Sequence, residues 1–352
     1  MTTLMLLCCT IVLNILLSCP GASAKTAQNN EVTIAYQPFA SPGGIVLETV
    51  KRDRLLKQAL SARGVTMRFM PVFKGSDVMA ALKKGEIQFT TVGDMATLEI
   101  ATTISIQVIG QMKQNYSTVV GLRGQTAREL KGKRIATVFA SSGHFALLKT
   151  LASVGLTEKD IRLVTMEVNE MPDALREGRI DAFAAWEPIP TLAISRHPDL
   201  FGVIGRQASL AYLVVLRRYA EQEPAVTHQL VAALVRSMTW LKQERNLTQA
   251  AGWNLAGMTA LTGKPPQTTV DEIRRTAAAD LAAINYSPRI SKLVSTNSAS
   301  TLREEFGFLA SIGRLPKDAR WEQVHTIFNR NLVDQVVRNN QKYALKRYDY
   351  DL

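Results

Sequence analysis

Two hydrophobic rhythms alternate along this chain. Short apolar runs rich in Val, Ile and Thr stand at "EVTIAYQPF" (31–39), "VTMRFMPVF" (65–73), "ISIQVIGQM" (104–112), "YSTVVGLR" (116–123), "RIATVF" (134–139) and "IRLVTMEV" (161–168), with "LFGVIG" and "AYLVVL" between 200 and 216. These read as strands, several of them buried on both faces. Between them lie amphipathic stretches with helical spacing: Ile45 to Ala62, "SDVMAALKKG" with Ser76 at its N-cap, "GDMATLEIA", "FALLKTLASVGL" and "EPIPTLAI". From Pro224 onward the pattern is almost wholly helical, through "PAVTHQLVAALVRSMTWLKQER", "TVDEIRRTAAADLAAI" and "ASTLREEFGFLASIG". Strand and helix alternating in this way predict an α/β fold.

One stretch occurs twice. "ALKKGEIQF" (81–89) and "ALREGRIDAF" (174–183) align without a gap, each a helix end, a glycine stop and the start of a buried strand. Gly85 and Gly178 are the residues able to take the left-handed conformation that closes a helix. Two copies predict two similar units, an early α/β unit and a second one inserted into it, followed by a helical remainder. The chain is expected to cross between them near Tyr116–Leu122 and to return near Gln207–Leu213. The boundaries that follow are 31–118 for the first part of lobe 1, 119–212 for lobe 2, and 213–352 for the return to lobe 1 and the helical C-terminal region. Two crossings form a hinge, and hinged lobes enclose ligands by closing on them.

Residues 1–24 stand apart. "MTTLMLLCCTIVLNILLSCPGASA" carries no Asp, Glu, Lys or Arg, its apolar run from Leu4 to Leu17 is short for a bilayer span, and it ends in the small-x-small pattern Ala22-Ser23-Ala24. It reads as a signal peptide, although the usual basic amino end is missing. "LLSC" also resembles a lipobox, which would tether the protein through Cys19. All three cysteines, Cys8, Cys9 and Cys19, fall here. A chain cut after Ala24 therefore has no disulfide, thiolate metal site or cysteine nucleophile.

The formal charge of +12 lies wholly beyond the leader. Its Lys and Arg are scattered, with "LKGKR" (130–134) the densest cluster, so the charge biases the chain weakly toward anionic ligands, and export argues against nucleic acid. The four histidines show no metal-ligand spacing, and there is no GxSxG elbow. "GMTALTGKPP" (257–266) has the wrong spacing for a phosphate-binding loop, with Pro265 where Ser or Thr is needed. No metal, cofactor or catalytic constellation is implied.

"GSDVMAALKKGEIQFTTVG", "ELKGKRIATVFASSGHFALLKTLASVGL", "DALREGRIDAFAAWEP" and "AYLVVLRRYAEQEPAVTHQLVAAL", in this order, closely resemble the periplasmic substrate-binding proteins of ABC importers, in the nitrate, sulfonate and taurine group. The resemblance covers about Val32 to Leu241. It implies a two-lobed periplasmic binding protein type II fold, two mixed sheets joined by a two-strand hinge, acting as a monomer that delivers a small organic anion or zwitterion to an ABC permease. A ligand sensor for a membrane signalling partner would use the same fold. A thiamine-pyrimidine synthase-like enzyme would also share it, but that enzyme's cysteine-rich motif has no counterpart after residue 24.

Ligands of open α/β sheets bind beyond the carboxyl ends of the strands. The loops there nominate Tyr36, Gln37 and Phe39 after the first strand, Thr91 and Gly93 after "IQFTTV", Ser141, Ser142, Gly143 and His144 after "RIATVF", and Trp186 and Glu187 after "DAFAAW". The Ser-Ser-Gly-His loop opens a helix, where hydroxyls and free N–H groups suit an oxyanion. One of its serines could equally be a helix cap, and His144 could serve an anion or a local backbone group. Trp186 could cover a ligand chain and Glu187 could face an amine, or the two could be core and helix first turn. Gln37 is favoured over Tyr36, since a polar residue just past an apolar strand needs a partner. Asp94 reads as a cap rather than a ligand.

Overall fold

The computed structural model describes residues 30–292 and 300–351, so the leader and its cysteines lie outside the described residues. The first elements are β1 (Asn30–Tyr36), α1 (Gly43–Val50), α2 (Arg54–Ser61), β2 (Val65–Pro71), α3 (Gly75–Lys83), β3 (Phe89–Gly93) and α4 (Asp94–Ala101). They lead into β4, a 17-residue strand (Ile106–Leu122). Then come β5 (Arg134–Thr137), α5 (Ser142–Ala152), β6 (Arg162–Thr165), α6 (Met171–Arg176), β7 (Ala182–Trp186), α7 (Ile189–Arg196) and the 16-residue return strand β8 (Phe201–Leu216). The rest is helical: α8 (Arg217–Gln222), α9 (Pro224–Trp240), α10 (Glu244–Thr262), α11 (Val270–Ala283), α12 (Thr301–Ser311), α13 (Trp321–His325) and α14 (Leu332–Arg338).

The strands form one eight-stranded mixed sheet in the order β2-β1-β3-β8-β4-β7-β5-β6. Where two mixed sheets joined by a two-strand hinge were expected, the two halves form one sheet, continuous through β8 and β4. β4 and β8 pair antiparallel along their whole length, from Ile106 opposite Leu216 to Leu122 opposite Phe201. The expected pairs of short strands at 104–112 and 116–123, and at 200–205 and 211–216, are each one continuous strand. The polar middle of β4, Lys113 to Asn115, hid this continuity. β3 pairs β8 only from Ala211 to Val215, and β7 pairs β4 only from Ser117 to Gly121. In between, the ribbon has no third strand beside it and needs no unbroken apolar run.

The repeat is explained by this arrangement. Outward from the ribbon the strands run β3, β1, β2 on one side and β7, β5, β6 on the other, parallel within each set. Each repeat copy supplies the strand that meets the ribbon, antiparallel to β8 in one case and to β4 in the other. Gly85 and Gly178 close the preceding helices at φ of 72° and 68°. Helices cover both faces of each half. One face of the first half packs on α1, α9, α10 and α11, and the other on α3, α4 and α12. In the second half, α6 and α7 take one face and α5 the other.

Two local expectations are corrected. The helix from Ile45 to Ala62 breaks after Val50, because Asp53 leaves the helical conformation to cap α2, its Oδ1 accepting from the Leu56 N–H at 3.0 Å. Ser76 lies inside α3 rather than at its cap. The cap position is Lys74, and Asp77 reaches back to accept from the N–H groups of Phe73 and Lys74, both at 3.1 Å. The C-terminal segment 342–351 is docked. The Arg54 N–H donates to the Asp349 carbonyl at 2.8 Å, the Asp351 N–H to that of Arg52 at 2.9 Å, and Tyr350 packs on Trp240 with ring centroids 4.6 Å apart.

Arg236 ties these pieces together. It is fully buried, its Nη2 lies 2.7 Å from Asp53 Oδ2, and its Nη1 donates to the Tyr343 carbonyl at 2.7 Å. Removing one partner of such a pair strands the other charge in the interior. Arg236→Met is expected to lower the unfolding free energy by about 3–5 kcal/mol, read from urea denaturation.

Candidate functional site

Polar side chains and helix starts gather where the two halves of the sheet meet the ribbon. A cleft with about 860 Å³ of space free of protein atoms, its mouth included, opens there. Its wall comes from the loops after β1, β2, β3 and β5, from the end of β7, and from the middle of β4 and β8. The N-termini of α3, α4 and α5 all reach it, through Gly75, Gly93 and Ser142. First-turn N–H groups lack intrahelical acceptors, so each start contributes donors and a partial positive charge.

Of the residues nominated from sequence, Gln37, Thr91, Gly93, Ser141, Ser142 and Trp186 come together on this wall. Gln37 is 7% exposed, and among the described residues its side-chain amide makes no hydrogen bond. The serines divide the two roles left open. Ser141 is the cap: its Oγ accepts from the His144 N–H at 3.2 Å and donates to the Val138 carbonyl at 2.6 Å. Ser142 Oγ accepts from Ser117 Oγ at 3.0 Å, which leaves its own hydroxyl hydrogen available.

The other five lie off the cleft wall, each for a physical reason. Tyr36 is 1% exposed in the core, where its hydroxyl is held by the Glu48 carboxylate. Phe39 stacks on Phe73 and faces a second cavity beneath α7. Gly143 is a packing residue, since a Cβ there would meet the Ala184 carbonyl oxygen at 2.7 Å. That close approach seats α5 on β7. His144 is fully buried, with Nδ1 accepting from the Ala140 N–H at 3.1 Å and Nε2 2.6 Å from Glu158. Its place is therefore beneath the loop, where it holds Ala140 in the left-handed region at φ 59°. Glu187 points away from the cleft: its Oε2 accepts from the Thr191 N–H at 3.2 Å beside Asp280.

Sequence reading missed the charged part of the wall. Lys74 pairs with Glu167 across the rim, and Arg314 Nη2 is held by both Glu99 oxygens at 2.7 and 2.9 Å. Asp94, read as a cap, does accept from the Met95 N–H at 2.9 Å, but it also accepts from the Leu210 N–H at 2.6 Å, which links α4 to β8. Lys113, only 5% exposed, enters from β4. The register there skips from Gln111 opposite Tyr212 to Lys113 opposite Ala211, a bulge at Met112. Bulges re-aim side chains, and both Met112 and Lys113 line the cleft. The only sequence signal was a lone lysine between apolar strand residues.

A family model described as the NMT1-like family matches residues 77–256, half of the chain, and that stretch contains both repeat copies and the cleft loops after β3, β5 and β7. The chain belongs to the NMT1-like family. Among its relatives, the taurine-binding periplasmic protein of Escherichia coli (strain K12) is 24% identical over 261 residues, covering 68% of this chain and 77% of the relative. Among solved structures, the periplasmic aliphatic sulphonate binding protein SsuA from Escherichia coli superposes with a TM-score of 0.63 at 19% identity, covering 84% of this chain and 91% of that one. The alkanesulfonate-binding protein SsuA from Xanthomonas axonopodis pv. citri, bound to MOPS, gives 0.62 at 21%, covering 85% and 98%. Like these structures, the NMT1-like chain described here has the periplasmic binding protein fold, with its two sheet halves continuous through β4 and β8.

Two consequences are measurable. Gly143→Ala is expected to lower stability by about 1–3 kcal/mol in denaturant unfolding, because its new methyl meets backbone. Burial holds the His144 imidazole below its ordinary value, against the opposing pull of Glu158. The unfolded chain therefore takes up that proton first, so this contribution to stability is complete above the ordinary histidine value and is lost as pH falls through the lowered one. Stability profiles against pH are expected to be flatter in that window for His144→Gln than for the parent.

Proposed function

We propose that this protein is an extracytoplasmic solute-binding protein: it captures a small organic anion or zwitterion of the sulfonate, taurine or nitrate kind in the cleft and delivers it to an ABC permease. The observation that carries this reading is a cleft bounded by both halves of the sheet, onto which three helix N-termini, the free hydroxyl hydrogen of Ser142 and the amide of Gln37 converge. Such a surface presents many donors to an oxyanion, and Trp186 adds an aromatic face for a carbon chain. The named relatives are periplasmic binding proteins for taurine and aliphatic sulfonates, which supports export and a role in capture rather than catalysis.

In this reading residues 31–118 and 213–352 form one lobe and 119–212 the other, with the chain crossing within β4 and β8. Solute closes the lobes about that ribbon, as a ligand with differential affinity for a closed state must. The leader directs export, with cleavage after Ala24 or lipidation at Cys19 as the two routes.

A thermal-shift screen of alkanesulfonates, taurine, nitrate and pyrimidines tests the ligand class. A sulfonate is expected to raise the melting temperature, corresponding to about 2.7 kcal/mol of stabilisation at a hundredfold excess over Kd. Ser142→Ala is expected to weaken the best hit by roughly tenfold or more, the size of a hydrogen bond to a charged group. A panel without a shift, or an unchanged affinity in the variant, would overturn the assignment.

A further inference from the structure

Three basic side chains line the cleft, and two are already neutralised. Arg314 is held by Glu99 and Lys74 by Glu167. Lys113 is the third. It is 95% buried by side-chain contacts and neighbouring backbone, being only 5% exposed, yet among the described residues no carboxylate oxygen lies within 4.0 Å of its Nζ and no protein group accepts a hydrogen bond from it. An ammonium in that position is costly unless something pairs with it.

The acids of the cleft show the converse. Glu99 is committed to Arg314, and both oxygens of Asp94 are committed to backbone N–H groups. Glu187, the acid that would have answered an amine, faces elsewhere. Of the acids on the cleft wall, Glu99 and Asp94, neither lacks a partner, whereas among the described residues the Lys113 ammonium has no carboxylate within 4.0 Å. Met95, Met112, Phe139 and Trp186 provide apolar surface for a chain.

We propose that Lys113 pairs with the anionic head of the ligand, and that the ligand is an aliphatic monoanion without an amine, an alkanesulfonate rather than an aminoalkanesulfonate. This rests on the reading of the cleft as the solute site and narrows it.

Four carboxyls act on Lys113 through space, none within 4.0 Å: Asp94 on α4, Glu187 ahead of α7, Asp280 on α11 and Glu305 on α12. Asp280 Oδ2 and both Glu305 oxygens are buried without a hydrogen-bond partner among the described residues, and burial pushes all four carboxyls up from their ordinary values. Burial likewise pushes the Lys113 ammonium down, with the four acids opposing. A bound anion favours the ammonium. Binding therefore takes up protons between the free and bound values, and affinity is greatest below the free value and falls as pH rises through it.

Calorimetric titration of the exported chain with butanesulfonate, MOPS and taurine tests the proposal. The parent is expected to bind butanesulfonate roughly tenfold or more tightly than taurine, and Lys113→Met to lose roughly thirtyfold or more for butanesulfonate. Taurine binding as tightly as butanesulfonate overturns the ligand class. A folded Lys113→Met protein with unchanged affinity overturns the role of Lys113 while leaving the sulfonate reading standing. The parent protein supplies a second measurement should the variant fail to fold: titrations in buffers of different ionisation enthalpy, over roughly pH 7 to 10.4, are expected to show proton uptake, and its absence overturns the pairing. Failure of the parent to bind any of the three compounds removes the underlying sulfonate reading and this inference together.

Discussion

The fold depends on one pairing, the antiparallel ladder between β4 and β8. Every other strand is attached to it: β3, β1 and β2 through β8, and β7, β5 and β6 through β4. At its two ends the ribbon has a third strand beside it, and its side chains are core, as with Val108, Val119, Leu213 and Val215. In the middle, over 114–116 of β4, it is two strands wide and its residues turn polar. At the edge of that stretch, where Gly93 of β3 still pairs with the Ala211 that lies opposite Lys113, the Met112 bulge turns Lys113 toward the cleft. The structural link between the halves and the charged floor of the proposed site are therefore the same few residues. A bulge in the middle of a ladder weakens pairing locally while increasing twist, so this is also the part of the sheet best able to bend.

That dual role accounts for what was legible in the sequence and what was not. The α/β class, the order of the elements and the duplicated helix-strand step are all local, carried by glycine stops and by apolar runs of strand length. "ALKKGEIQF" and "ALREGRIDAF" needed no tertiary information to be recognised as equivalent. The continuity of β4 and β8 was hidden because their polar centres break the periodicity on which strand assignment relies. One sheet was therefore read as two. The break at Asp53 was hidden for a different reason. It follows from a buried pairing with Arg236, 183 residues away, which no local propensity encodes.

The site divides in the same way. Position could be inferred, because loops after parallel strands lie at one edge of a sheet, and Gln37, Thr91, Gly93, Ser141, Ser142 and Trp186 do share one cavity. Direction could not. Tyr36 ends β1 with its side chain in the core, and Gln37 is the first residue of the loop beyond it, where the chain reaches the cleft. His144 and Gly143 sit a residue or two beyond Ser142 on a helix, which turns them inward: one holds the loop from beneath and the other lets α5 approach β7. Both were nominated as ligand contacts, with His144 left open between an anion and a local backbone group; in the structure His144 accepts from the Ala140 N–H and Gly143 packs on the Ala184 carbonyl. Lys113 escaped because nothing local distinguishes a lysine aimed into a cleft from one on a solvated edge.

The remaining links between the halves are of another strength altogether. Lys74 with Glu167, Lys149 with Glu304 and Arg196 with Glu272 join elements of the second half to helices packed on the first. Most of these groups keep contact with solvent, and pairs of that kind typically contribute about 0–1 kcal/mol each. Arg196 and Glu272, matched at two positions of 2.7 Å, form the strongest of the three, and Arg196 holds the Glu272 carboxyl down to about 2. These pairs are not alone: Phe308 of α12 packs on His144 and Phe145 of α5 with ring centroids 5.3 and 5.6 Å apart, and the Ser41 N–H donates to the Glu187 carbonyl at 3.3 Å. Separating the halves would in addition require breaking the ladder. In the proposed closure a solute need supply only a few kcal/mol of differential affinity to shift the population, which the proposed charge pairing with Lys113 and hydrogen bonds from Ser142 and the helix starts would supply.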